Sequence, residues 1–323
     1  MTQVPSDSSV LTPTQNSSIC PLPDWGVLKA SGEDAAKFLQ GQATCDMLAL
    51  TPGAAGCGAF CTPQGRVLAS FRIARGREAF YLFLARDLVE PLRQRLRLYV
   101  LRAKVNLESL NGQAALLAVM GPDSGNILGG LGIAATDLPT AWSEFPGQGV
   151  LKLDNGSATD YWLLLEAGEW SARWGEHPAA AHPDAWRLRD IAAGFPLILP
   201  ATREEFLPQM LNLDRMGGTS YTKGCYTGQE IVTRTHFLGH IKRRMFRMRC
   251  AGGIDLEPGA AVVETSGAEP RTARRIVNSC RNAEGRWECL AVLGLEFAAS
   301  GHRHAVSAEG PRLSGLPIPY SLE

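Results

Sequence analysis

A polar stretch, residues 219–234, contains most of the side chains in this sequence that could carry chemistry. Those side chains are Lys223, Cys225, Tyr226, Thr227, Gln229, Glu230 and Arg234. A cysteine acts as a nucleophile or metal ligand in its thiolate form, which a nearby cation stabilises. We therefore predict Cys225 as the reactive thiol and Lys223 as its activating cation. The alternative is a packed thiol beside a surface charge.

The surroundings of this stretch favour a functional site. Gly224 and Gly228 allow tight backbone turns, and Gly228 is placed to open a helix whose first amide groups can receive an anion. Polar side chains continue on both sides of the stretch, at Gln209, Asn212, Asp214 and Arg215 before it, after Pro208, and at His236 after it.

Composition sets the protein class. The chain has 323 residues, 45% of them hydrophobic, with 32 basic and 32 acidic residues. This predicts two or three globular domains. It also predicts no net electrostatic attraction of the whole chain to nucleic acid or anionic membranes. Eight cysteines without a secretion signal indicate free thiols in a reducing cytoplasm. The absence of any apolar run of eighteen residues predicts no membrane span.

The pattern along the chain predicts an α+β fold. A disordered tail is expected over residues 1–20 and a first α+β region over 21–110. In that region we expect strands at 25–30, 56–60, 66–73 and 77–84, a helix from Ser31 to about Gly41, and an amphipathic helix at 87–100. A second α+β region, 111–238, carries residues 219–234, and interleaving of the two regions is left open.

The second region is expected to contain strands near 114–120 and 161–165 and helices near 122–131 and 170–174. From residue 239 onward, short strands punctuated by Gly and Pro indicate a small β-barrel over 239–323. There Phe246, Met248 and Cys250 alternate with Arg247 and Arg249, which is typical of a half-buried strand with a solvated arginine face.

Residues 223–230 read K-G-C-Y-T-G-Q-E, which resembles the signature of the YgfZ family, folate-binding relatives of the glycine cleavage T-protein. Other motifs follow in the family's order. They are D-W-G-V-L at 24–28, F-L-Q-G-Q-A-T-C-D at 38–46, P-Q-G-R-V-L at 63–68, A-G-F-P at 193–196, F-L-P-Q-M-L-N-L at 206–213 and P-Y-S-L-E at 319–323.

The resemblance implies a ring of three domains, two α/β subdomains and a C-terminal β-barrel, around a cavity for tetrahydrofolate or a derivative. It implies that Trp25 and Trp186 contact folate, and stacking a flat ring on an aromatic side chain contributes about 1 kcal/mol. The alternative for either tryptophan is a core anchor. The remaining predicted folate-binding residues are Asn212, Tyr226, Gln229, Glu230 and Arg234. Further cavity candidates are Gln42, Asp46 and Arg66, of which the last two are alternatively a structural pair.

The implied function is an accessory role for iron–sulfur enzymes, including those that thiomethylate transfer RNA, rather than an activity of the chain's own. Folate and such enzymes are the expected partners. Cys225 is then a redox-active thiol or a transient ligand, because one cysteine cannot hold a cluster alone. No resident metal is predicted. Cys57 and Cys61 lack a second ligand pair, and Gly239 interrupts any helix joining His236 to His240.

Two departures from the resemblance bear on the chemistry. T-proteins carry an acidic residue in the segment equivalent to 66–71, where this chain has Val67, Leu68, Ala69 and Ser70. That argues against the second hypothesis, a tetrahydrofolate-dependent aminomethyltransferase. The family's glutamate before A-G-F-P falls at Ala192, and Asp190 is the candidate substitute.

A third hypothesis is nucleic-acid binding by a basic cluster. Its residues are Lys242, Arg243, Arg244, Arg247 and Arg249. Only Phe246 supplies an aromatic ring for stacking on bases, so the sequence favours a solvated strand face over a nucleic-acid site.

Overall fold

The structure is a computed structural model that describes residues 17–154, 159–166, 181–250, 254–265, 271–298 and 303–322. Its strands are β1 (Ser18–Pro21), β2 (Trp25–Ser31), β3 (Ala55–Cys61), β4 (Val67–Arg75), β5 (Ala79–Ala85), β6 (Asn106–Ser109), β7 (Ala114–Met120), β8 (Trp142–Phe145), β9 (Gln148–Asp154), β10 (Thr159–Glu166), β11 (Arg243–Cys250), β12 (Ala261–Glu264), β13 (Arg271–Arg281), β14 (Trp287–Gly294), β15 (Arg303–Ala305) and β16 (Leu313–Leu316). Its α-helices are α1 (Ala35–Gln40), α2 (Arg86–Val100), α3 (Ser124–Gly130), α4 (Asp184–Ala192), α5 (Gln229–Phe237) and α6 (Leu295–Ala298).

The first sheet has the strand order β3-β4-β5-β2-β6, and its described pairings are antiparallel. Strand β4 is buried along almost its whole length, so both of its faces are covered. Helix α2 packs its apolar stripe, including Leu88, Leu92 and Leu96, against this sheet, as its amphipathic pattern predicts. The first sheet is therefore the centre of the largest hydrophobic core.

The helix expected from Ser31 begins later than predicted. Ser31 pairs with Ala79 and Asn106 as the last residue of β2, and Gly32 then turns the chain with a φ of 110°. Helix α1 therefore starts at Ala35, after Asp34. The sheet pairing outweighs the tendency of serine to cap a helix.

The second sheet has the order β1-β7-β10-β9-β8 and a smaller core of its own. Its edge strand β1 includes residues 18–20, which were predicted to belong to a disordered tail. The prediction is wrong for these residues, because Ile19 pairs with Val119 and its side chain is buried. Residues 1–16 of that tail lie outside the described residues, as does the helix expected near 170–174.

The third sheet is a nearly closed barrel of order β15-β12-β13-β14-β11-β16, which confirms the predicted C-terminal β-barrel. A bridge between His304 and Arg312 brings its two edges together. The arginines of β11 are not the solvated face that their alternation suggested. Arg247 is buried 2.7 Å from Glu288, which Arg249 also contacts.

Two buried polar side chains tie the barrel to the segment before residues 219–234. Asn212 donates its amide hydrogens to the carbonyl of Met245, at 2.7 Å, and to the Tyr320 hydroxyl, at 3.3 Å. Arg244 donates to both carboxylate oxygens of Asp214, at 2.6 and 2.9 Å. Of the predicted basic cluster, Arg244, Arg247 and Arg249 are thus ion-paired within the protein, which weakens the nucleic-acid hypothesis.

We expect Asp214→Ala to destabilise the protein strongly, because it leaves the Arg244 guanidinium buried without its carboxylate. The expected loss is about 3–5 kcal/mol of unfolding free energy, measured by urea denaturation. Glu284→Ala, at the exposed pair with Arg286, is the control and should cost at most about 1 kcal/mol. Equal losses in the two variants would contradict this role for the Arg244–Asp214 pair.

Candidate functional site

Residues 218–228, here called the signature loop, lie across the turn that follows α1. The Thr44 hydroxyl donates to the carbonyl of Gly218 at 2.6 Å, and the amide of Ser220 donates to the carbonyl of Thr44 at 2.9 Å. At the other end of the loop, the amide of Thr227 reaches the carbonyl of Gly41 at 3.3 Å. These contacts fasten the loop to residues 40–45, here called the carbonyl turn.

Lys223 inserts its side chain into the carbonyl turn. Its ammonium group donates to the carbonyl oxygens of Gln40, Ala43 and Cys45, each at 2.7 Å. Burial lowers the pKa of Lys223 to about 8, while the nearby Cys45 and Asp46 raise it. Three carbonyl acceptors also favour the charged form.

The prediction that Lys223 activates Cys225 needs correction on this point. All three ammonium hydrogens have a backbone acceptor, so none is left for a hydrogen bond to Cys225. The close spacing of the two residues in sequence does not make them partners, because the loop turns the lysine inward and leaves the cysteine outside.

Cys225 is the exposed thiol of the protein. All eight cysteines lie in the described part of the chain, and the other seven are buried or half-buried. Burial raises the pKa of each of those seven thiols, for example to about 12 for Cys45 and Cys61. The seven are therefore poor nucleophiles, and Cys225 is the one that solvent and partners can reach.

Gly228 opens a helix, as predicted. It has a φ of 84°, precedes α5, and approaches the carbonyl of Thr62 so closely that a Cβ would lie 2.4 Å from that oxygen. Helix α5 then presents Glu230 and Arg234 on its exposed surface. Gln229, half-buried, donates to the carbonyl of Lys223 at 3.4 Å and so helps close the loop.

Tyr226 lies inside the signature loop. Its ring centroid is 4.9 Å from the Lys223 ammonium nitrogen, and its hydroxyl is buried with no hydrogen-bond partner among the described residues. Burial raises the pKa of Tyr226. Its position is that of a packing residue for Lys223.

The other predicted cavity residues are dispersed. Gln42 is half-buried in the carbonyl turn. Asp46 accepts hydrogen bonds from the Gln40 side chain and the amides of Leu48 and Ala49, and exposed Arg66 donates to the carbonyl of Glu205 at 2.8 Å. Asp46 and Arg66 therefore contact different partners, not each other.

Trp25 belongs to a buried cluster of aromatic rings. Its ring centroid lies 4.6 Å from that of Trp162, which in turn lies 5.3 Å from Trp186. Phe195, in the A-G-F-P motif, completes the group at 5.9 Å from Trp25. Both predicted tryptophans are thus members of one cluster joined through Trp162.

A buried ion pair lies within this cluster. The Arg72 guanidinium is 3.7 Å from the Phe195 ring centroid and donates to the Asp190 carboxylate at 2.7 Å. Desolvation raises the pKa of Asp190 to about 6, while the charge of Arg72 and its hydrogen bond lower it. Burial and the ion pair with Arg72 thus act in opposite directions on the pKa of this carboxyl group.

Trp25 and Asp190 line a cavity of about 410 Å³, here called the Trp25 cavity, between α4 and the barrel. Its other lining residues are Asp24, Asp184, Arg187, Ile191, Leu197, Leu199, Leu256, Glu257, Pro258, Asn278, Ser279, Cys280, Arg281 and Trp287. Helix α4 turns Asp190 toward the cavity, whereas Ala192, two residues on, does not line it. Volume and mixed lining are typical of small-molecule sites.

The Trp25 cavity departs from the predicted single site. Trp186 is buried behind Trp162 and does not line it, and no residue of the signature loop does so. Asn212, with both amide hydrogens donated within the protein, is a structural residue. Sequence analysis missed Arg72 and Trp162, although an arginine inside the apolar strand V-L-A-S-F-R-I-A was a usable signal.

Metal-binding and membrane-spanning features are both absent from the part of the chain that the structure describes. Within those residues, no three His, Cys, Asp or Glu side chains form a metal-binding group. None of the described helices has the length and apolar character needed to cross a membrane.

Comparison with known proteins places the chain in a family. A model of the GCVT N-terminal domain matches residues 14–146. The chain is 30% identical over 308 residues to the tRNA-modifying protein YgfZ of Edwardsiella ictaluri, covering 94% of this chain and 92% of that protein. The chain belongs to the YgfZ family.

Other members of the YgfZ family match over similar lengths. The tRNA-modifying proteins YgfZ of Photobacterium profundum and Serratia proteamaculans are 27% and 28% identical, covering 94% and 98% of this chain and 91% and 96% of their own. The signature at residues 223–230 thus predicted the family correctly.

The T-protein-like fold is confirmed by a solved structure. The glycine cleavage system aminomethyltransferase T from Bartonella henselae superposes with a TM-score of 0.72, covering 94% of this chain and 86% of that one. At 12% identity the likeness shows the fold alone.

Because Cys225 is the exposed thiol, we expect one thiol per native chain to react rapidly with a chromogenic thiol reagent. Cys225→Ser should abolish this fast phase, whereas Cys57→Ser, at a half-buried site, should keep it. In denaturant all eight thiols should react. A fast phase that survives in Cys225→Ser would contradict the assignment.

Proposed function

We propose that this protein is a cytoplasmic folate-binding accessory protein that supports iron–sulfur enzymes, including those that thiomethylate transfer RNA. The observation that carries the folate part is the Trp25 cavity, where an aromatic wall and a buried carboxylate meet. The names of the YgfZ relatives support the transfer RNA context.

The residues of the Trp25 cavity fit a reduced folate. Its flat pteridine ring needs an aromatic or apolar wall, which Trp25, Ile191 and Leu197 provide. The same ring carries adjacent N–H donors, and the Asp190 carboxylate supplies acceptor oxygens for them. Arg72 holds that carboxylate in place from behind. Asp190 thus takes the role that the resemblance assigns to the residue at position 192.

The acidic tail of a folate would meet cations at the same cavity. Arg187 and Arg281 both line it; Arg187 pairs with Asp24 and Asp184, and Arg281 pairs with Asp255. The Arg281 side chain is about half exposed, so its single ion pair contributes little and can exchange for a ligand carboxylate. Trp186 does not line the cavity; it lies one helical turn before Asp190 on α4 and packs against Trp162.

The thiol part of the proposal rests on Cys225. An exposed thiol on a well-fastened loop can meet a client protein, whereas the other seven thiols are buried or half-buried. A cluster generally needs four protein ligands, so Cys225 acts as a redox-active thiol or as a transient ligand to a cluster that the client holds. In our proposal Gln229, Glu230 and Arg234 belong to this surface rather than to the Trp25 cavity, and the buried Tyr226 supports it from inside the signature loop.

Aminomethyl transfer remains the rival function, motivated by the T-protein fold. In β4, however, the segment equivalent to the T-protein acid contains Val67, Leu68 and Ala69, all buried, and Ser70. The Ser70 hydroxyl donates to the carbonyl of Pro196 at 2.5 Å, so it is a structural group. Production of methylenetetrahydrofolate from an aminomethyl donor would favour the rival.

Folate affinity should depend on pH through Asp190, because only the ionised form offers both carboxylate oxygens and a negative charge to the N–H donors. With a pKa of about 6, set mainly by burial and opposed by Arg72, the carboxylate is ionised above pH 6. Affinity should therefore be constant above pH 7 and fall by about tenfold per pH unit well below pH 6. Calorimetric titration with 5-formyltetrahydrofolate between pH 5 and 8 measures this.

Asp190→Asn should weaken folate binding at pH 7.5 and abolish the fall in affinity below pH 6. Asp137→Asn, at an exposed carboxylate outside the cavity lining, is the matched control and should behave as wild type. A pH dependence that is unchanged in Asp190→Asn would rule out the proposed role of Asp190.

In cells, Cys225→Ser should lower thiomethylated transfer RNA while leaving folate affinity within about twofold, because the thiol lies outside the Trp25 cavity. Trp25→Ala should lower folate affinity by about fivefold or more, the equivalent of losing one stacked ring. Mass spectrometry of modified nucleosides provides the first readout. Normal thiomethylation in Cys225→Ser would exclude a required thiol.

A further inference from the structure

The three carbonyl oxygens around Lys223 form a complete coordination site. An ammonium group has three N–H donors, and here each has one acceptor at the same distance, 2.7 Å. The acceptors come from one short turn, at Gln40, Ala43 and Cys45. The Tyr226 ring, 4.9 Å from the nitrogen, covers a further side of the group.

The carbonyl turn depends on a cation. Its converging oxygens have no other described donor, and the carbonyls of Ala43 and Cys45 belong to buried residues. Without a cation, three carbonyl oxygens would point toward one another with no hydrogen-bond donor and no water, which is costly for buried acceptors. The cation is supplied by a residue about 180 positions away in sequence.

We propose that the carbonyl turn is a binding site for a primary ammonium ion, filled by Lys223, and that filling this site is how the lysine of the signature positions Cys225. Lys223 is then a positioning residue. The lysine joins the turn after α1 to the loop that presents the thiol. This inference is independent of folate binding.

The shape of the site explains the residue type. A guanidinium group is planar and points its donors outward in a fork, so it cannot direct three hydrogens at three converging oxygens. A methionine fills the space but has no donors. A primary ammonium ion alone combines the charge with three donors around one atom.

The test is chemical rescue of Lys223→Ala. This substitution removes three carbons and the nitrogen, which n-propylammonium contains. We expect the variant to lose on the order of 5 °C in Tm, to lose hydrogen-exchange protection in residues 40–45, and to alter the rate of Cys225 modification. Added n-propylammonium should restore all three properties saturably, whereas tetramethylammonium at equal ionic strength should restore none.

Controls and a second measurement complete the test. Lys242→Ala, at an exposed lysine, should have the Tm, exchange protection and Cys225 modification rate of wild type, and n-propylammonium should change none of them. If Lys223→Ala does not fold, wild-type protein gives the answer, because a buried ammonium group exchanges its protons slowly with water. One of the six lysines should show a protected ammonium signal by NMR at pH 7, and the signal should persist when the other five are replaced singly.

Three results would overturn the proposal. They are an unchanged Tm and exchange pattern in Lys223→Ala, equal recovery by tetramethylammonium, and the absence of any protected lysine ammonium signal in wild-type protein.

Discussion

The contact between Arg72 and Asp190 constrains the rest of the candidate folate site. It joins β4 of the first sheet to α4 at 2.7 Å, inside a cluster of aromatic rings that excludes water. A buried charge of either sign is unstable alone, so each residue requires the other. The pair therefore fixes where α4 lies and places a carboxylate at the wall of the Trp25 cavity.

The structure separates two candidate sites that the sequence analysis had placed in a single cavity. The Trp25 cavity lies between α4 and the barrel, and the signature loop lies across the turn after α1. Folate binding and thiol chemistry can thus be perturbed independently.

Local features of the fold could be predicted because short-range sequence patterns determine them. The apolar stripe of α2, the helix start after Gly228 and the small β-barrel all follow from spacing and turn residues. The predicted start of α1 was wrong because the pairing of Ser31 in β2 outweighed the tendency of serine to cap a helix. The strand β1 was missed because a polar, proline-rich composition concealed an edge strand that pairs with β7.

The site could be predicted in its parts but not in its arrangement. Residue chemistry pointed to Cys225, and the family resemblance pointed to Trp25 and Asp190. The acceptors of Lys223 are backbone carbonyls, which no side-chain pattern marks, and Arg72 meets Asp190 across 118 positions of sequence. Arg247 was expected in solvent because its partner Glu288 lies on β14. The sequence alone does not show that β14 pairs with β11.

The most direct test of the folate assignment is a crystal structure of the protein with 5-formyltetrahydrofolate. Our account predicts the pteridine ring against Trp25 with its N–H donors on the Asp190 carboxylate. Ligand density against residues 223–230, with the Trp25 cavity empty, would contradict it.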